Sequence, residues 1–203
     1  MSPPCPICPS CSLSLRERRR AQPTYRTRDA DGGPAGRIGY VSAMTMLEAT
    51  DGEPGSYLEI AEAIETRSSH ATADLRQLWR RIVFSILISN TDDHLRNHGF
   101  LHEGGDTWRR SPAFDVNPNP EPGPKHLSTA IDLADDTASI SIALSVADYF
   151  RLSTEEANDV VAHVQAAVSN WARVARQRSL SSQEIAAMSW AFDAHSARAS
   201  TWA

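Results

Sequence analysis

The sequence predicts a mainly α-helical domain with one short β-hairpin among its helices. In residues 71–90, apolar side chains recur at the i, i+3, i+4, i+7 spacing of a helix face and then fill in on all sides. Residues 153–156 read Ser-Thr-Glu-Glu, a helix capping box, and an apolar stripe of helical period follows them. Residues 103–106 read Glu-Gly-Gly-Asp and separate two short strand-like stretches, which predicts the hairpin.

Length and composition limit the class of protein. The chain has 203 residues, of which 41% are hydrophobic and 22% are charged, as in ordinary globular domains. Its formal net charge of −5 argues against direct binding to nucleic acid. The longest apolar run, residues 82–88, is far shorter than the roughly 20 residues of a membrane span, so we expect no membrane association.

Residues 1–24 are predicted to be a disordered leader, because they contain several prolines and no helical or strand period. Cys5, Cys8 and Cys11 lie in this segment. Three cysteines in one short stretch exclude a disulfide framework, and we expect a cytoplasmic protein. A zinc site is the alternative, but a fourth ligand at fitting spacing is missing from the sequence. The structured domain is then expected over residues 25–203.

The remaining elements follow from caps and breaks along the chain. Residues 25–40 are polar and glycine-rich, and a turn signal at residues 31–34 separates two stretches that we expect to pair as strands. The glycines here match neither phosphate-binding fingerprint, so an exposed turn is favoured. Ser42 and Ser56 are predicted helix N-caps. The predicted helices span about residues 42–49, 56–67, 71–90, 153–175 and 182–195.

The chemistry is concentrated in the polar stretch that directly follows the most apolar helix. Residues 89–100 read Ser-Asn-Thr-Asp-Asp-His-Leu-Arg-Asn-His-Gly-Phe. Two adjacent carboxylates beside a core cost stability unless a cation or hydrogen bonds compensate for them. A hard cation such as Mg²⁺ is the natural compensating ion.

The hairpin is predicted to return a third carboxylate to this stretch. We expect Leu101 to lie opposite Trp108, which places the neighbourhood of His94 opposite Asp115. On this register, three side chains that are far apart in sequence converge within a few ångströms, namely Asp92, Asn97 and Asp115. The sequence therefore predicts a site for a metal ion and a phosphate.

This arrangement follows the logic of protein kinases. There, an Asp accepts the proton of the substrate hydroxyl, an Asn five residues later binds Mg²⁺, and a further Asp follows a hairpin. Asp92 and Asn97 have this spacing, although the chain has Asn90-Thr91 where small-molecule phosphotransferases of the same spacing typically have His. Residues 90–97 and 111–116 resemble the C-terminal domain of HipA-like toxin kinases, and the likeness extends over about residues 25–197.

The resemblance implies a fold and a role for each matching residue. The fold is the helical C-terminal lobe of a protein-kinase-like domain, with the short β-hairpin at the active site. Asp92 is the implied catalytic base, and Asn97 and Asp115 are the implied metal ligands. His94, Asn97 and Asp115 are the implied cofactor-binding residues, and the cofactors are Mg²⁺ and ATP.

Four neighbouring positions leave alternatives open. Asp93 and His94 either support the loop or are, respectively, a solvated acid at a helix end and a hydrogen-bonded structural histidine. Arg96 either neutralises a phosphate or faces solvent. Lys125 and His126 lie in a proline-rich loop where the family has segments that move near the substrate, and the alternative for Lys125 is a mobile surface lysine.

The resemblance also implies a missing part. HipA-like kinases have an N-terminal lobe with a phosphate-clamping loop and a nucleotide-contacting lysine, whereas no lysine precedes Lys125 here. We therefore expect part of a serine/threonine protein kinase of a type II toxin–antitoxin system, inactive alone, with a protein substrate and a separately encoded N-terminal lobe as partners. The alternative is a non-catalytic helical interaction module, or a decayed remnant, that binds an antitoxin-type DNA-binding protein.

Overall fold

Helices carry most of the regular structure in the computed structural model, which describes residues 24–26, 37–133 and 135–193. The helices are α1 Ala43–Met46, α2 Tyr57–Arg67, α3 Ala71–Leu87, α4 Ile140–Ser145, α5 Thr154–Val168, α6 Trp171–Gln177 and α7 Ser182–Asp193. The strands are β1 Thr24–Arg26, β2 Arg37–Ser42, β3 Gly55–Ser56, β4 Gly99–Gly104, β5 Thr107–Arg110 and β6 Thr129–Ala130. Short 3₁₀ turns span Leu95–Asn97 and Ala147–Phe150. The predicted helical majority is confirmed. The predicted leader, residues 1–24, lies outside the described residues except for Thr24, which begins β1.

Helix α3 forms the centre of the hydrophobic core, packed between α2 and α5. Leu75, Leu78, Trp79, Ile82 and Ile86 are completely buried, which is the face that the apolar spacing predicts. Burial of each such side chain stabilises the fold by about 1.5–3 kcal/mol. The end of α3 is thus held in the most tightly packed part of the molecule. Among the described residues, no helix is long and apolar enough to cross a membrane.

The predicted N-caps of the first two helices are present. Ser42 caps α1 by accepting a hydrogen bond from the Thr45 backbone N–H at 3.2 Å. Ser56 and Glu59 form a full capping box at the start of α2: the Ser56 hydroxyl oxygen accepts from the Glu59 N–H at 3.3 Å, and the Glu59 carboxylate accepts from the Ser56 N–H at 2.7 Å. The cap fixes where α2 begins, because it satisfies amide groups that the helix leaves unpaired.

We expect the Ser56→Ala substitution to lower the free energy of unfolding by about 1–2 kcal/mol, because it removes the buried cap oxygen. Chemical denaturation in urea measures this change. Ser139→Ala is the matched control, since Ser139 precedes α4 without a side-chain cap bond and should change stability by less than about 0.5 kcal/mol. Equal effects of the two substitutions would contradict the capping role.

Two small sheets flank the helices. The larger is antiparallel with strand order β1-β2-β4-β5, and β1 pairs with β2 as the sequence predicts, although the turn at residues 31–34 lies outside the described residues. The smaller joins β3 and β6 in parallel, with Gly55 opposite Thr129 and Ser56 opposite Ala130. Both sheets place their strand ends beside the polar stretch that follows α3.

The predicted β4–β5 hairpin is present, but its register is one residue away from the expected one. Leu101 lies opposite Arg109, and Trp108 lies opposite His102. The two turn residues are Gly105 and Asp106, between Gly104 and Thr107, whereas the expected register places Gly104 and Gly105 in the turn. A bulge between His102 and Gly104 inserts one extra residue into β4. Trp108 is accordingly buried at 3% exposure.

The single helix predicted over residues 153–175 is wrong, because the chain bends at Ser169 and Asn170 and forms two helices instead. The hydroxyl of Ser169 and the side-chain amide of Asn170 both donate to the Ala166 carbonyl, each at 2.8 Å. Such local bonds between side chain and backbone compete with the helical pattern. The apolar stripe continues across the break, which is why periodicity alone does not detect it.

Candidate active site

The polar stretch leaves the core through a sharp reversal at the end of α3. The helix ends at Leu87 instead of the predicted residue 90, and Ser89 adopts a left-handed backbone with φ of 55°. The Asn90 N–H then bonds back to the Ser85 carbonyl at 2.8 Å, and the buried Ser89 hydroxyl donates to the Ala191 carbonyl of α7 at 2.9 Å. The reversal is therefore held from two sides, and the residues that follow start from a fixed position.

Asp93 anchors this stretch inside the protein. Its side chain is fully buried, and its carboxylate accepts hydrogen bonds from the Tyr57 hydroxyl at 2.8 Å, Arg81 at 2.5 Å and the Ser85 hydroxyl at 3.1 Å. The ring nitrogen Nε2 of His98 lies 3.2 Å from the same carboxylate. The interpretation of Asp93 as a solvated acid is therefore wrong, and the supporting role is the one that the structure shows.

The charges of this cluster compensate each other. Burial alone raises the pKa of Asp93, but the neighbouring His98 ring and Arg81 guanidinium more than offset it and hold the pKa well below its usual range. Complete burial lowers the pKa of His98, although the Asp93 carboxylate acts in the opposite direction. Burial and the Asp93 charge raise the pKa of Tyr57, which keeps its hydroxyl a donor. Asp93 and Arg81 thus form the charged pair.

Asp92, one residue earlier, faces the other way. Its side chain is 76% exposed, so its carboxylate is open to a substrate. Asn97 lies almost completely buried beneath it, and the Asn97 amide nitrogen donates to the Asp92 carbonyl at 2.9 Å. The donor end of the Asn97 amide is thereby occupied, which leaves its oxygen as the end suited to a cation.

The segment that carries Asp115 runs beside the polar stretch. Hydrogen bonds hold it there through residues before and after Asp115. The Phe114 carbonyl accepts from Arg81 at 3.5 Å, and the Asn117 N–H donates to the Asn90 side-chain oxygen at 3.3 Å. Further along, Asn119 donates to the Ser89 carbonyl and the Thr91 hydroxyl, each at 3.0 Å. The two segments therefore lie side by side, as the kinase pattern requires.

Asp115 itself is exposed and has a left-handed backbone with φ of 52°. Its carboxylate accepts a hydrogen bond from the Asn117 side chain at 2.8 Å. A non-glycine residue with positive φ persists only where its surroundings hold it, and such positions concentrate at functional sites. Convergence of the Asp115 side chain with Asp92 and Asn97 within a few ångströms remains a prediction.

A metal ion at this site would depend on few protein ligands. Within the described ranges, no group of three or more His, Cys, Asp or Glu side chains is arranged to hold a metal ion. One carboxylate and one amide oxygen, from Asp115 and Asn97, nevertheless suit Mg²⁺, which is commonly held by one or two carboxylates together with substrate phosphates. The chemistry of the donor set fits a metal shared with a nucleotide better than a closed metal centre.

His94 and Arg96 line a cleft beside the loop. His94 Nε2 lies 3.9 Å from the Asp92 carboxylate, and its Nδ1 is buried with no hydrogen-bond partner in the described structure. The interpretation of His94 as a hydrogen-bonded structural histidine is thus not supported. Arg96 is half exposed, and its guanidinium pairs with the Asp51 carboxylate at 2.5 Å. The side chain is therefore partly open to solvent, and its positive charge already has an acidic partner.

The proline-rich loop after Asp115 is fastened by its own lysine. Lys125 donates to the Asn119 carbonyl at 3.0 Å and also to the Glu121 carbonyl. His126 contacts the Asp136 carboxylate at 2.8 Å. The interpretation of Lys125 as a mobile surface lysine is therefore wrong, because its ammonium group ties together the loop that lies along the candidate site.

Sequence reasoning missed the residues that hold Asp93, namely Tyr57, Arg81, Ser85 and His98. One signal was available, since Arg81 and Ser85 are the polar residues of the otherwise apolar stretch 81–87, and their spacing of four puts them on one helix face. A charged residue on a buried face needs a buried partner of opposite charge. The partner, Asp93, lies beyond the end of the helix, so helical spacing alone does not identify it.

Fold and sequence together define a class of protein: a helical domain in which a polar loop follows the central helix and is succeeded by a β-hairpin and by the loop that carries Asp115. A sequence model of the family described as HipA-like C-terminal domain matches residues 16–171. The chain belongs to this HipA-like C-terminal domain family.

Two curated relatives agree with the assignment. A Haemophilus influenzae protein named "Putative kinase" is 35% identical over 69 residues, which is 32% of this chain and 20% of that protein. A Sinorhizobium fredii protein named "Putative kinase Y4dM" is 38% identical over 64 residues, which is 32% of this chain and 15% of that protein. The aligned regions are therefore short pieces of both relatives.

The fold has a solved counterpart. A chain in the structure described as the Shewanella oneidensis MR-1 toxin–antitoxin system HipA, HipB and its operator DNA complex superposes with a TM-score of 0.63 at 12% sequence identity. The match covers 82% of this chain and 44% of that chain. At this level of identity the likeness establishes the fold, and the chain spans less than half of its structural relative.

Proposed function

We propose that this chain is the catalytic-loop and metal-binding portion of a HipA-family serine/threonine protein kinase, which transfers the γ-phosphate of ATP to a protein hydroxyl. The observation that carries the proposal is the contrast between two adjacent aspartates. Asp93 is buried and fixed by four side chains, while Asp92 is 76% exposed at the surface. A catalytic base must be both positioned and reachable, and this pair divides the two tasks.

In the proposed reaction, the Asp92 carboxylate accepts the proton of the acceptor hydroxyl. The Asn97 amide holds the Asp92 backbone through its nitrogen, which prevents the base from shifting relative to the metal ligands. Asn97 and Asp115 would hold Mg²⁺, and His94 would lie beside the nucleotide phosphates. When bound with ATP, Mg²⁺ neutralises charge that develops on the transferred phosphoryl group.

The proposal includes two partners. An N-terminal lobe would supply the phosphate clamp, and its need is supported by the absence of any lysine before Lys125 in residues 1–203. An antitoxin-type DNA-binding protein of a type II toxin–antitoxin system is the second partner, supported by the HipB and operator DNA in the structural relative. Because this chain carries a net charge of −5, contact with DNA would run through the antitoxin.

Titration calorimetry with Mg·ATP tests the proposal directly, on the chain alone and on the chain mixed with an N-terminal lobe from an adjacent reading frame. We expect binding to strengthen by orders of magnitude when the lobe is present, because each half holds part of the nucleotide. Failure of Asp115→Asn to weaken that binding would contradict the metal assignment. An unchanged biological effect of Asp92→Asn and Asp115→Asn would instead favour the non-catalytic interaction module.

Mg²⁺ alone is expected to raise the melting temperature of the isolated chain. For a dissociation constant near 1 mM, 10 mM Mg²⁺ stabilises the native state by about 1.4 kcal/mol through mass action. For a domain of this size the shift is about 3–6 °C. Differential scanning fluorimetry measures it against NaCl of equal ionic strength, with Asp115→Asn as the control that should not respond. A flat response of the unsubstituted chain would count against a metal site.

A further inference from the structure

A cleft opens directly beside the proposed catalytic loop. It has a volume of about 410 Å³, and its walls come from the segment between α1 and β3 on one side and from residues 94–96 on the other. Asp51, Glu53, His94 and Arg96 are its charged or titratable lining residues. His94 lines the cleft, and its Nε2 lies 3.9 Å from the Asp92 carboxylate. The proposed base therefore lies next to a residue of the cleft wall.

The charge of the lining residues determines which kind of ligand the cleft favours. Two carboxylates and one guanidinium line the cleft, and the Asp92 carboxylate adds a further negative charge 3.9 Å from the lining residue His94. Arg96 is already paired with Asp51 at 2.5 Å, and within the described ranges the Glu53 carboxylate accepts a hydrogen bond from the Thr50 backbone N–H at 3.3 Å. The net negative charge complements a cationic guest and repels an anionic one.

The pair between Asp51 and Arg96 also shows how such a guest would be held. Both side chains are largely exposed, at 73% for Asp51 and 51% for Arg96, so water screens the pair and it is easily exchanged. An arginine from another molecule could replace Arg96 as the partner of the Asp51 carboxylate. The intramolecular pair then acts as a stand-in for a substrate arginine.

We propose that this cleft binds the acceptor peptide and that Asp51, with Glu53, selects a basic residue close to the hydroxyl that is phosphorylated. This inference rests on the proposed kinase function. Asp51 contacts Arg96, which lies four positions after Asp92 in the chain. Four residues span at most about 13 Å, because even an extended chain advances only about 3.3 Å per residue. A bound peptide in extended conformation covers the same distance with about four residues. The basic residue therefore lies within about four residues of the acceptor serine or threonine.

Fluorescence anisotropy on the purified chain, without metal or nucleotide, tests the proposal. The probes are labelled single-serine peptides with one arginine within four residues of the serine, and matched peptides with glutamine or glutamate at that position. We expect the arginine peptide to bind more tightly than both, and Asp51→Asn with Glu53→Gln to weaken it by about fivefold or more. The charge-matched control is Glu62→Gln with Glu155→Gln, on exposed faces of α2 and α5 away from the cleft.

Arg96→Gln gives the sharpest outcome. If Arg96 occupies the place of a substrate arginine, its removal frees Asp51 and tightens binding of the arginine peptide. Weaker binding of that peptide, or preferential binding of the glutamate peptide, would overturn the proposal, because Arg96 would then be the recognition group for an acidic partner. Melting temperatures of all variants report whether they are folded.

The outcomes separate this inference from the proposed function. Peptide binding is measured without ATP. Arginine-dependent peptide binding together with no phosphoryl transfer from Mg·ATP would support the assignment of the cleft and contradict the kinase function. Phosphoryl transfer to peptides without regard to a neighbouring arginine would keep the kinase and remove the cleft assignment.

Discussion

Replacing Asp93 with asparagine is expected to lower the free energy of unfolding by about 3–5 kcal/mol, which is the usual effect of breaking a buried ion pair by removal of one partner. The substitution leaves the buried Arg81 guanidinium without its counter-charge, and it removes acceptors from Tyr57 and Ser85. Urea denaturation followed by circular dichroism measures the change.

The neighbouring aspartate provides a matched control. Asp92→Asn makes the same chemical change one residue away, at a side chain that is 76% exposed, so stability should change by less than about 0.5 kcal/mol. If both substitutions cost the same, the contrast between the two aspartates is wrong.

Two further variants keep the test informative if Asp93→Asn does not fold. Tyr57→Phe removes only one hydrogen bond to Asp93 and should cost about 1 kcal/mol. The double variant Arg81→Met with Asp93→Leu removes both charges and should recover much of the lost stability, because no uncompensated charge then remains in the core. A double variant as unstable as Asp93→Asn would show that the ion pair is not the source of the effect.

The same pair predicts how stability depends on pH. Because the pKa of Asp93 is lower in the folded protein than its unfolded value near 4, its stabilising contribution is fully present above that value. It is lost progressively as the pH falls toward the folded-state pKa. The difference in unfolding free energy between the unsubstituted chain and Asp93→Asn should therefore be constant from about pH 5 to 7 and should narrow below about pH 4. A difference that widens in acid would contradict the assigned direction.

Asp92→Asn is expected to reduce phosphoryl transfer by about 10²–10⁴-fold, the usual contribution of a general base. The assay combines the chain with its N-terminal lobe and measures transfer of radiolabelled phosphate from Mg·ATP to a mixed serine peptide library. Because the substitution keeps the shape of the side chain and the bond between Asn97 and the Asp92 backbone, nucleotide affinity should stay within about threefold.

Asp115→Asn distinguishes base from metal ligand in the same assay. Loss of a carboxylate ligand should weaken Mg·ATP binding and turnover together, whereas Asp92→Asn should lower turnover with little change in binding. Activity of Asp92→Asn within about threefold of the unsubstituted complex would show that another group accepts the proton, or that none is needed.

Local features of the fold were predictable from the sequence because they depend on residues that are close in the chain. The predicted capping box of Ser153 and Glu156 is present and involves two positions three residues apart, and the apolar face of α3 repeats within one helix. Elements whose limits depend on competing local bonds were less accurate, as the break at Ser169 and Asn170 shows. The hairpin turn lies one residue later than expected, and with the bulge in β4 the remaining register is one residue away from the expected one.

The sequence by itself determined the helical class, the position of the polar stretch after the most apolar helix, and the spacing of Asp92 and Asn97 on which the kinase proposal depends. Only the tertiary structure decided which of the two adjacent aspartates is buried, because the residues that surround Asp93 come from α2, from α3 and from beyond the 3₁₀ turn. The same holds for the cleft, whose walls are about forty residues apart in the chain. The burial of a side chain and the compensation of its charge depend on residues that are distant in the sequence and close in space. The order of residues along the chain does not show directly which of them become neighbours.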